Sequence, residues 1–406
     1  MKPRVVILGG AGAMGRITAA DVLRTSGGSI EVVVADRDLT AAASLDVTKA
    51  PVDVADPESL RRVLDGAFAV IASLPYRFNL PAMRGALAAG AHYLDLGGLF
   101  HVTRQQLELD AEFRQAGTMG LLGIGSAPGI INVLAVLAAR DLDVVREVHC
   151  LVGSVDRTRY REAPPLGFGY SVDTLLDEFV MPSAVFRNGA FAMVPALAPS
   201  ERLEVRFPPP IGKLVVDTTL HSEVATLPLH FATRGVREVT FRQGFDRDFM
   251  EKLRFLVELG LADTGPLSSA GNGRPEEISS PPGGEATSPR QTLLSLLSRF
   301  PAAKVVGKPA RYEVLRAWVR GRRGGRAISV TADCHAGPGA GQGVGPDIDT
   351  GAPPSIAVQL MLSGELPIRP GLWAPEQVIP VEPFVRELTR RGMKVTRHAR
   401  AVSRRR

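Results

Sequence analysis

The chain has little cysteine: two residues, Cys150 and Cys334, in 406. That excludes a disulfide framework and fits a reducing, cytoplasmic setting. Cys334 and His335 are strand neighbours, so they point to opposite faces and make a poor metal pair. No clustered Cys/His spacing suggests a metal site. Uninterrupted apolar runs are also short. The longest, residues 121–139, is broken by Ser126, Pro128, Gly129 and Asn132, so it reads as strand, loop and helix rather than a membrane span. Lys2 and Arg4 precede an apolar stretch, but glycines cut it too soon for a secretory signal. The segment from Arg386 to Arg406 is basic. No aromatic residues interleave its arginines, so a nucleic-acid tail is not indicated and a solvated helix face with a frayed end is expected. No internal repeat is visible.

What remains is an ordinary globular composition, 45% hydrophobic with a net charge of +6. The length suggests two domains. The most informative stretch opens the chain. Val5-Val6-Ile7-Leu8 is an apolar run ending in glycines spaced G-x-G-x-x-G at Gly10, Gly12 and Gly15. A helical pattern, Arg16 to Leu23, follows the turn, in which Ala13 and Met14 are further candidate cofactor contacts, and a second run, 31–35, ends at Asp36. Strand, glycine turn, helix, strand and acid are the parts of a dinucleotide fold. Gly10 permits the tight turn, Gly12 leaves room for a pyrophosphate at a helix N-terminus, and Gly15 lets helix and strand approach. Asp36 accepts from ribose hydroxyls and favours NAD, whereas Arg37 leaves NADP open.

Strands and helices alternate to about residue 140, giving an α/β class with a Rossmann-type doubly wound parallel sheet over 1–140. The pattern includes a helix after Asp36 and another over 107–115. From about 141 to 350, strand-like runs with few helices predict a central α+β domain with a largely antiparallel open sheet. Residues 262–292, rich in Gly, Pro and Ser, are expected to be a disordered loop or insertion. Residues 351–400 read as C-terminal helices returning to the first domain.

In such a sheet, ligands lie beyond the carboxyl ends of the strands. The candidate cofactor contacts there are Asp53, Ser73-Leu74-Pro75 and Pro128-Gly129, beside the glycine turn. Chemistry at this edge would want a general base near the reacting atom. Asp95 stands at a strand end and is either that base, an orienting acceptor, or a loop hydrogen-bond anchor. Tyr76 lies at the same edge; His92 reads as structural. In the second domain, strand alternation puts His221 and Glu223 on one face, as an acid–base pair or a surface ion pair. Tyr170, Arg157, Gly97 and Gly98 are candidate substrate contacts, an arginine fork matching a carboxylate.

The chain resembles the saccharopine dehydrogenase-like family. The matching stretches are G-G-A-G-A-M-G (9–15), A-S-L-P-Y-R-F-N (72–79), H-Y-L-D-L-G-G (92–98) and S-A-P-G-I-I-N (126–132). Further along come P-P-L-G-F-G-Y-S (164–171), L-L-D-E (175–178), R-N-G (187–189), T-G-A-P-P-S-I-A (350–357) and A-P-E (374–376). The resemblance implies a nicotinamide cofactor, a homodimer, and oxidation at an amine-bearing carbon of a lysine-derived amino acid such as saccharopine or lysine. The stretch 221–228, His-Ser-Glu-Val-Ala-Thr-Leu-Pro, departs from the glycine-rich sequence expected of a lysine 6-dehydrogenase. A polyamine-pathway dehydrogenase and a non-catalytic nucleotide sensor remain as alternatives.

Overall fold

The computed structural model describes residues 2–164, 166–167, 171–265, 287–300 and 303–402. The first unit alternates β1 (Arg4–Leu8), α1 (Ala13–Thr25), β2 (Glu31–Asp36), β3 (Thr48–Pro51), α2 (Pro57–Leu64), β4 (Ala69–Ala72), α3 (Asn79–Ala88), β5 (His92–Asp95), α4 (Phe100–Leu107), α5 (Asp110–Gln115) and β6 (Met119–Leu121). Its central strands are buried on both faces, as helix-covered parallel strands must be. Val5 pairs with Val32 on one side and Ala69 on the other. The helix expected after Asp36 is only a short 3-10 turn, Thr40–Ala42. The expected 107–115 helix is two helices, since α4 ends and α5 begins at the Glu108–Leu109 break.

α6 (Ile130–Ala139) leaves this sheet and is apolar all round, with nine of its ten residues buried. Such a helix must be covered on every side. It packs against the second sheet and the C-terminal helices, and one continuous core runs through both units.

The second unit contains β7 (Val144–Asp156), α7 (Val172–Val180), β8 (Ser183–Arg187), β9 (Ala190–Val194), β10 (Leu203–Arg206), β11 (Lys213–Thr218), α8 (Glu223–His230), β12 (Glu238–Gly244), α9 (Arg247–Glu258), α10 (Pro289–Ser298), β13 (Arg311–Arg323) and β14 (Arg326–Ala336). A small ladder joins Tyr160–Glu162 to Lys304–Val305. The main sheet runs β9-β8-β12-β7-β13-β14, with β11 on β12 and β10 on β11. Only β7 and β12 pair in parallel among its described ladders. The turn between β13 and β14 lies at Gly324-Gly325, both with positive φ.

The chain then returns through α11 (Ile348–Ser363), β15 (Gly371–Trp373), α12 (Pro375–Val378), α13 (Val381–Arg390) and β16 (Lys394–Ala401). β15 extends the first sheet to seven strands, ordered β15-β6-β5-β4-β1-β2-β3. α11 lies on α1, where a Cβ at Gly351 would strike Ile17 and Thr18 donates to the Gly351 carbonyl. The return is not helical throughout. β16 pairs with β14 and closes the edge of the second sheet. The expected frayed basic tail is therefore a strand up to Ala401. Nor are its arginines simply solvated: Arg391 is buried on Asp21, and Arg397 donates to the Leu137 and Ala138 carbonyls at the end of α6. Burying this arginine succeeds because each charge finds a carboxylate or a row of helix C-terminal carbonyls.

The expected 262–292 loop is corrected at its end. Ser288 caps α10 with Gln291 reaching back in a capping box, so 289–292 are helical. Residues 266–286 of that segment lie outside the described residues.

Candidate active site

The glycine turn has a division of labour different from the expected one. Gly9, not Gly10, adopts the left-handed conformation, with φ +71°. Gly10 instead marks a close approach, because a Cβ there would sit 2.9 Å from Val34 Cγ1. Gly15 lies against the turn itself: its Cβ would run into the Gly9 carbonyl and stand 2.6 Å from Gly10 Cα. At Gly12 the only atom within 4 Å of an added Cβ is the Gly9 carbonyl, at 3.1 Å. Gly12 and Ala13 are exposed at the start of α1. Its first-turn amides, through Met14 and Gly15, have no partner within the helix. This open, amide-lined step fits a pyrophosphate. Asp36 is fixed beside it: its carboxylate accepts from the Ala11 amide at 3.1 Å and the Arg37 amide at 2.7 Å. Arg37 is exposed next to it.

The neighbouring loops line the same edge. The Ser73 carbonyl and Leu74 side chain close over Gly9, and the buried Ser73 hydroxyl has no hydrogen-bond partner among the described residues. Pro75 leads into the Tyr76–Phe78 turn. Asp53 is farther out, its carboxylate accepting from the Ala55 amide. Pro128 packs on Gly97 and Gly123; a Cβ on Gly97 would meet its ring at 2.5 Å. The Gly129 amide is held by Asn132 Oδ1 at 3.0 Å, and Gly129 itself has φ +129°. Gly98 packs beside Val102. The parts present fit a dinucleotide along this edge.

Asp95 is not placed as a base. It is fully buried. Its carboxylate accepts from the Gly123 amide at 2.6 Å, Gln106 Nε2 at 2.6 Å, the Gly97 amide at 2.9 Å and the Tyr93 hydroxyl at 3.0 Å. Burial pushes its proton affinity up, and these donors hold it down. It clamps the Gly97 and Gly123 loops on which Pro128 rests. His92 accepts from the Met119 amide and is structural.

His221 and Glu223 do come together, but not on a strand. β11 ends at Thr218; His221 lies in the following turn and Glu223 opens α8. Nδ1 of His221 is 2.5 Å from Glu223 Oε2, and Nε2 is 3.9 Å from Glu178 Oε1. The imidazole stacks on Phe241 with ring centroids 3.9 Å apart. The pair is buried rather than a surface ion pair. Burial disfavours the imidazolium, but the Glu223 and Glu178 carboxylates outweigh it and raise the proton affinity of His221. Between them, the buried Ser222 hydroxyl lacks a partner among the described residues and lies 3.6 Å from where a Gly97 Cβ would be. Ser222 thus joins the His221–Glu223 pair to the Gly97–Pro128 loop of the first sheet.

Three other expected contacts fall elsewhere. Tyr76 donates to Asp177 Oδ2 at 2.8 Å, bridging the two units, and that carboxylate together with burial pushes its phenol well above the ordinary range. Arg290 backs the bridge, bonded to both Asp177 and Asp173, while Arg77 reaches Asp173 at 3.1 Å. Arg157 is exposed and tied to Asp246 at 2.7 Å, so it is not poised for a substrate carboxylate. Tyr170 lies outside the described residues. Among the described residues no group of three or more His, Cys, Asp or Glu is placed to hold a metal.

One residue at the site escaped the reading of chemistry from sequence. Glu376, the acid of the A-P-E stretch, is buried on α12 and accepts from Asn132 Nδ2 at 2.8 Å. Burial raises its pKa to about 7 against hydrogen bonds from Thr226 and Asn132. Only the motif itself marked it, because nothing in local periodicity distinguishes an inward glutamate on a one-turn helix.

Residues 5–121 match the family model of the saccharopine dehydrogenase NADP binding domain, and residues 125–393 that of the saccharopine dehydrogenase C-terminal domain. The chain belongs to the saccharopine dehydrogenase family. It carries that family's NAD(P)-binding oxidoreductase fold. The carboxynorspermidine synthase of Vibrio cholerae serotype O1 is 24% identical over 290 residues, 70% of this chain. The match spans 63% of that relative's own length. Among solved structures, apo saccharopine dehydrogenase (L-Glu forming) from Saccharomyces cerevisiae aligns with TM-score 0.71 and 18% identity, over 98% of this chain and 100% of that one. The homospermidine synthase of Legionella pneumophila, in complex with NAD, aligns with TM-score 0.68 and 13% identity, over 98% and 91%. These two show the shared saccharopine dehydrogenase fold. Among the described residues no helix is long and apolar enough to cross a membrane.

Proposed function

We propose that this protein is a nicotinamide-dependent dehydrogenase acting at an amine-bearing carbon of a lysine-derived amino acid, such as saccharopine or the 6-amine of lysine. One observation carries the reading: Ser222, flanked by the buried His221–Glu223 pair, lies against the Gly97–Pro128 loop at the cofactor edge. The nicotinamide, when bound, supplies the hydride acceptor. Gly12, Ala13, Met14 and Gly15 offer amides to its pyrophosphate, Asp36 its ribose contact, and Ser73, Leu74, Pro75, Pro128 and Gly129 the walls. Asp36 inclines the choice to NAD, and Arg37 keeps NADP within reach.

A protonated amine has no lone pair with which to assist hydride departure, so a base must first take its proton. Glu223 accepts at Nδ1 of His221, which fixes the tautomer and leaves Nε2 to take that proton. The two carboxylates then stabilise the imidazolium. In the reverse direction the same Nε2 returns the proton. Asp95 and Tyr76 position loops rather than touch the reacting carbon; Gly97 and Gly98 shape the floor. A cytoplasmic homodimer belongs to the same reading.

A second reading is a polyamine-pathway dehydrogenase of the carboxynorspermidine type, supported by the 24% identity to a carboxynorspermidine synthase. A non-catalytic nucleotide sensor is the alternative without turnover. Cofactor absorbance with lysine, saccharopine and carboxylated or simple polyamines separates the three. Turnover on a lysine-derived amino acid is expected. Turnover on polyamines alone moves the assignment to the second reading, and NAD binding without turnover on any amine moves it to the third.

A further inference from the structure

The cofactor edge carries a hydrogen-bonded chain of side chains that the proposed chemistry does not use. Ser126 opens the 126–129 loop, and Thr350 stands in the first turn of α11. Their hydroxyl oxygens are 3.0 Å apart. The Thr350 hydroxyl also donates to Asp349 Oδ1 at 3.3 Å. Asp349 is 1% exposed, and its Oδ2 has no hydrogen-bond partner among the described residues. Ser126 and Thr350 are only half-buried. The inner end of the chain is therefore sealed, and the outer end is open to a ligand.

Both units fix its position. Just before it, Asp347 takes the guanidinium fork of Arg311 on β13 at 2.7 and 2.8 Å. Just after it, the Gly351 carbonyl accepts from Thr18 of α1 at 2.7 Å, and a Cβ on Gly351 would stand 3.3 Å from the Met14 carbonyl. Thr350 Cγ2 lies 3.7 Å from where a Gly125 Cβ would be. Thr350 is thus held between the first turn of α1, whose amides fit a pyrophosphate, and the loop that ends in Pro128-Gly129. In a dinucleotide stretched between those two places, the nicotinamide half, ribose then ring, passes the pair. Proton direction follows from the acid at the inner end. Asp349 Oδ1 accepts, so the Thr350 proton is committed to it. Thr350 then faces Ser126 with lone pairs, and Ser126 must be the donor between the two hydroxyls. Ser126 Oγ is left with lone pairs alone for a ligand.

We propose that Ser126 is a cofactor-contacting acceptor for a hydroxyl or amide N–H on the nicotinamide half of the dinucleotide, with Thr350 and Asp349 as positioning residues that fix the direction of its proton. The contact rests on the reading of the 126–129 loop as the nicotinamide wall.

The test is equilibrium binding to the full chain by titration calorimetry, with no amine present. S126A and T350V should each weaken NAD binding about three- to tenfold, the scale of one neutral hydrogen bond. ADP, which lacks the nicotinamide half, should bind both variants as it binds the parent. T350S keeps the hydroxyl and should restore NAD affinity. Because Thr350 acts through Ser126, S126A/T350V should bind NAD no more weakly than S126A. ADP-ribose identifies the donor: an affinity that falls with that of NAD assigns the ribose, and a parent-like one assigns the carboxamide. Parent-like NAD affinity in S126A overturns the proposal. So does an equal loss of ADP affinity, which would mean that the variants loosen the fold. Additive losses in the double variant, or a T350S as weak as T350V, overturn the relay. If T350V fails to fold, S126A and T350S still decide the contact. Absence of turnover on every amine would count against the proposed function and leave this binding test unaffected.

Discussion

Gly12→Val and Gly15→Ala separate the two jobs of the glycine turn. Gly12 has extended backbone, φ −66° and ψ 170°, which valine adopts freely. Its added side chain meets only the Gly9 carbonyl, at 3.1 Å, and otherwise projects into the space where a pyrophosphate would lie. The fold should lose under about 1 kcal/mol, the scale of replacing a helix N-cap. Binding should suffer far more. Amide hydrogen bonds to a charged group contribute about 1.5–3 kcal/mol each, so blocking even one or two predicts a loss of about 100-fold, or ~2.8 kcal/mol. Gly15 is the reverse. Its Cβ would collide with the Gly9 carbonyl and the Gly10 backbone, which cannot yield without opening the turn. Overpacking of that kind costs about 1–3 kcal/mol. The assay is a pair of measurements on each variant, thermal melting without cofactor and NAD(H) titration by fluorescence. G12V should melt like the parent and fail to bind, while G15A should melt early. A G12V protein that binds NAD(H) as the parent does would refute this account of the turn.

Other outcomes follow from the site. The catalytic efficiency with NAD should exceed that with NADP, because Asp36 is fixed beside the glycine turn where the proposed site puts the ribose; a tenfold preference for NADP would show that Arg37 sets the choice. H221N and E223Q should lower turnover by roughly 10²–10⁴ with cofactor affinity intact, whereas D95N should cost about 1–3 kcal/mol of stability by turning an amide donor toward one of four donors; parent-like turnover in both H221N and E223Q would remove the pair from the chemistry. Since neighbouring carboxylates raise the proton affinity of His221, amine oxidation should rise with pH through a midpoint above the ordinary histidine value, and a midpoint below it in the kcat/KM profile would contradict the assignment. Glu376 has its folded pKa raised to about 7 from a carboxylate value of 4.5, so the folded chain binds the extra proton and stability falls as pH rises through that window. E376Q should abolish that loss, about 3 kcal/mol between pH 4 and 8 by urea unfolding; an unchanged pH dependence would mean that the carboxyl is not held neutral.

The sequence by itself determined the parts governed by local rules. The spacing of Gly10, Gly12 and Gly15 between an apolar run and Asp36 specified the strand, glycine turn, helix and second strand, because helix, strand and turn periodicities are short-range. The breaks at Pro128 and Gly129 likewise separated β6 from α6. Tertiary structure decided what depends on partners far along the chain. Asp95 stands at a strand end like a catalytic acid, yet Gly97, Tyr93, Gln106 and Gly123 consume its lone pairs. The sequence 221–223 alternates like a strand, but α8 starts at Glu223, and the pair meets through the turn before it. The arginines of the C-terminal segment look solvated until Asp21 and the end of α6 are brought against them, 370 residues away in the first case. Glu376 acquires its raised pKa only from the low-dielectric space shared by α6, α8 and α12. Charge and burial are set by whatever the fold places nearby, and residue order alone carries no record of those neighbours.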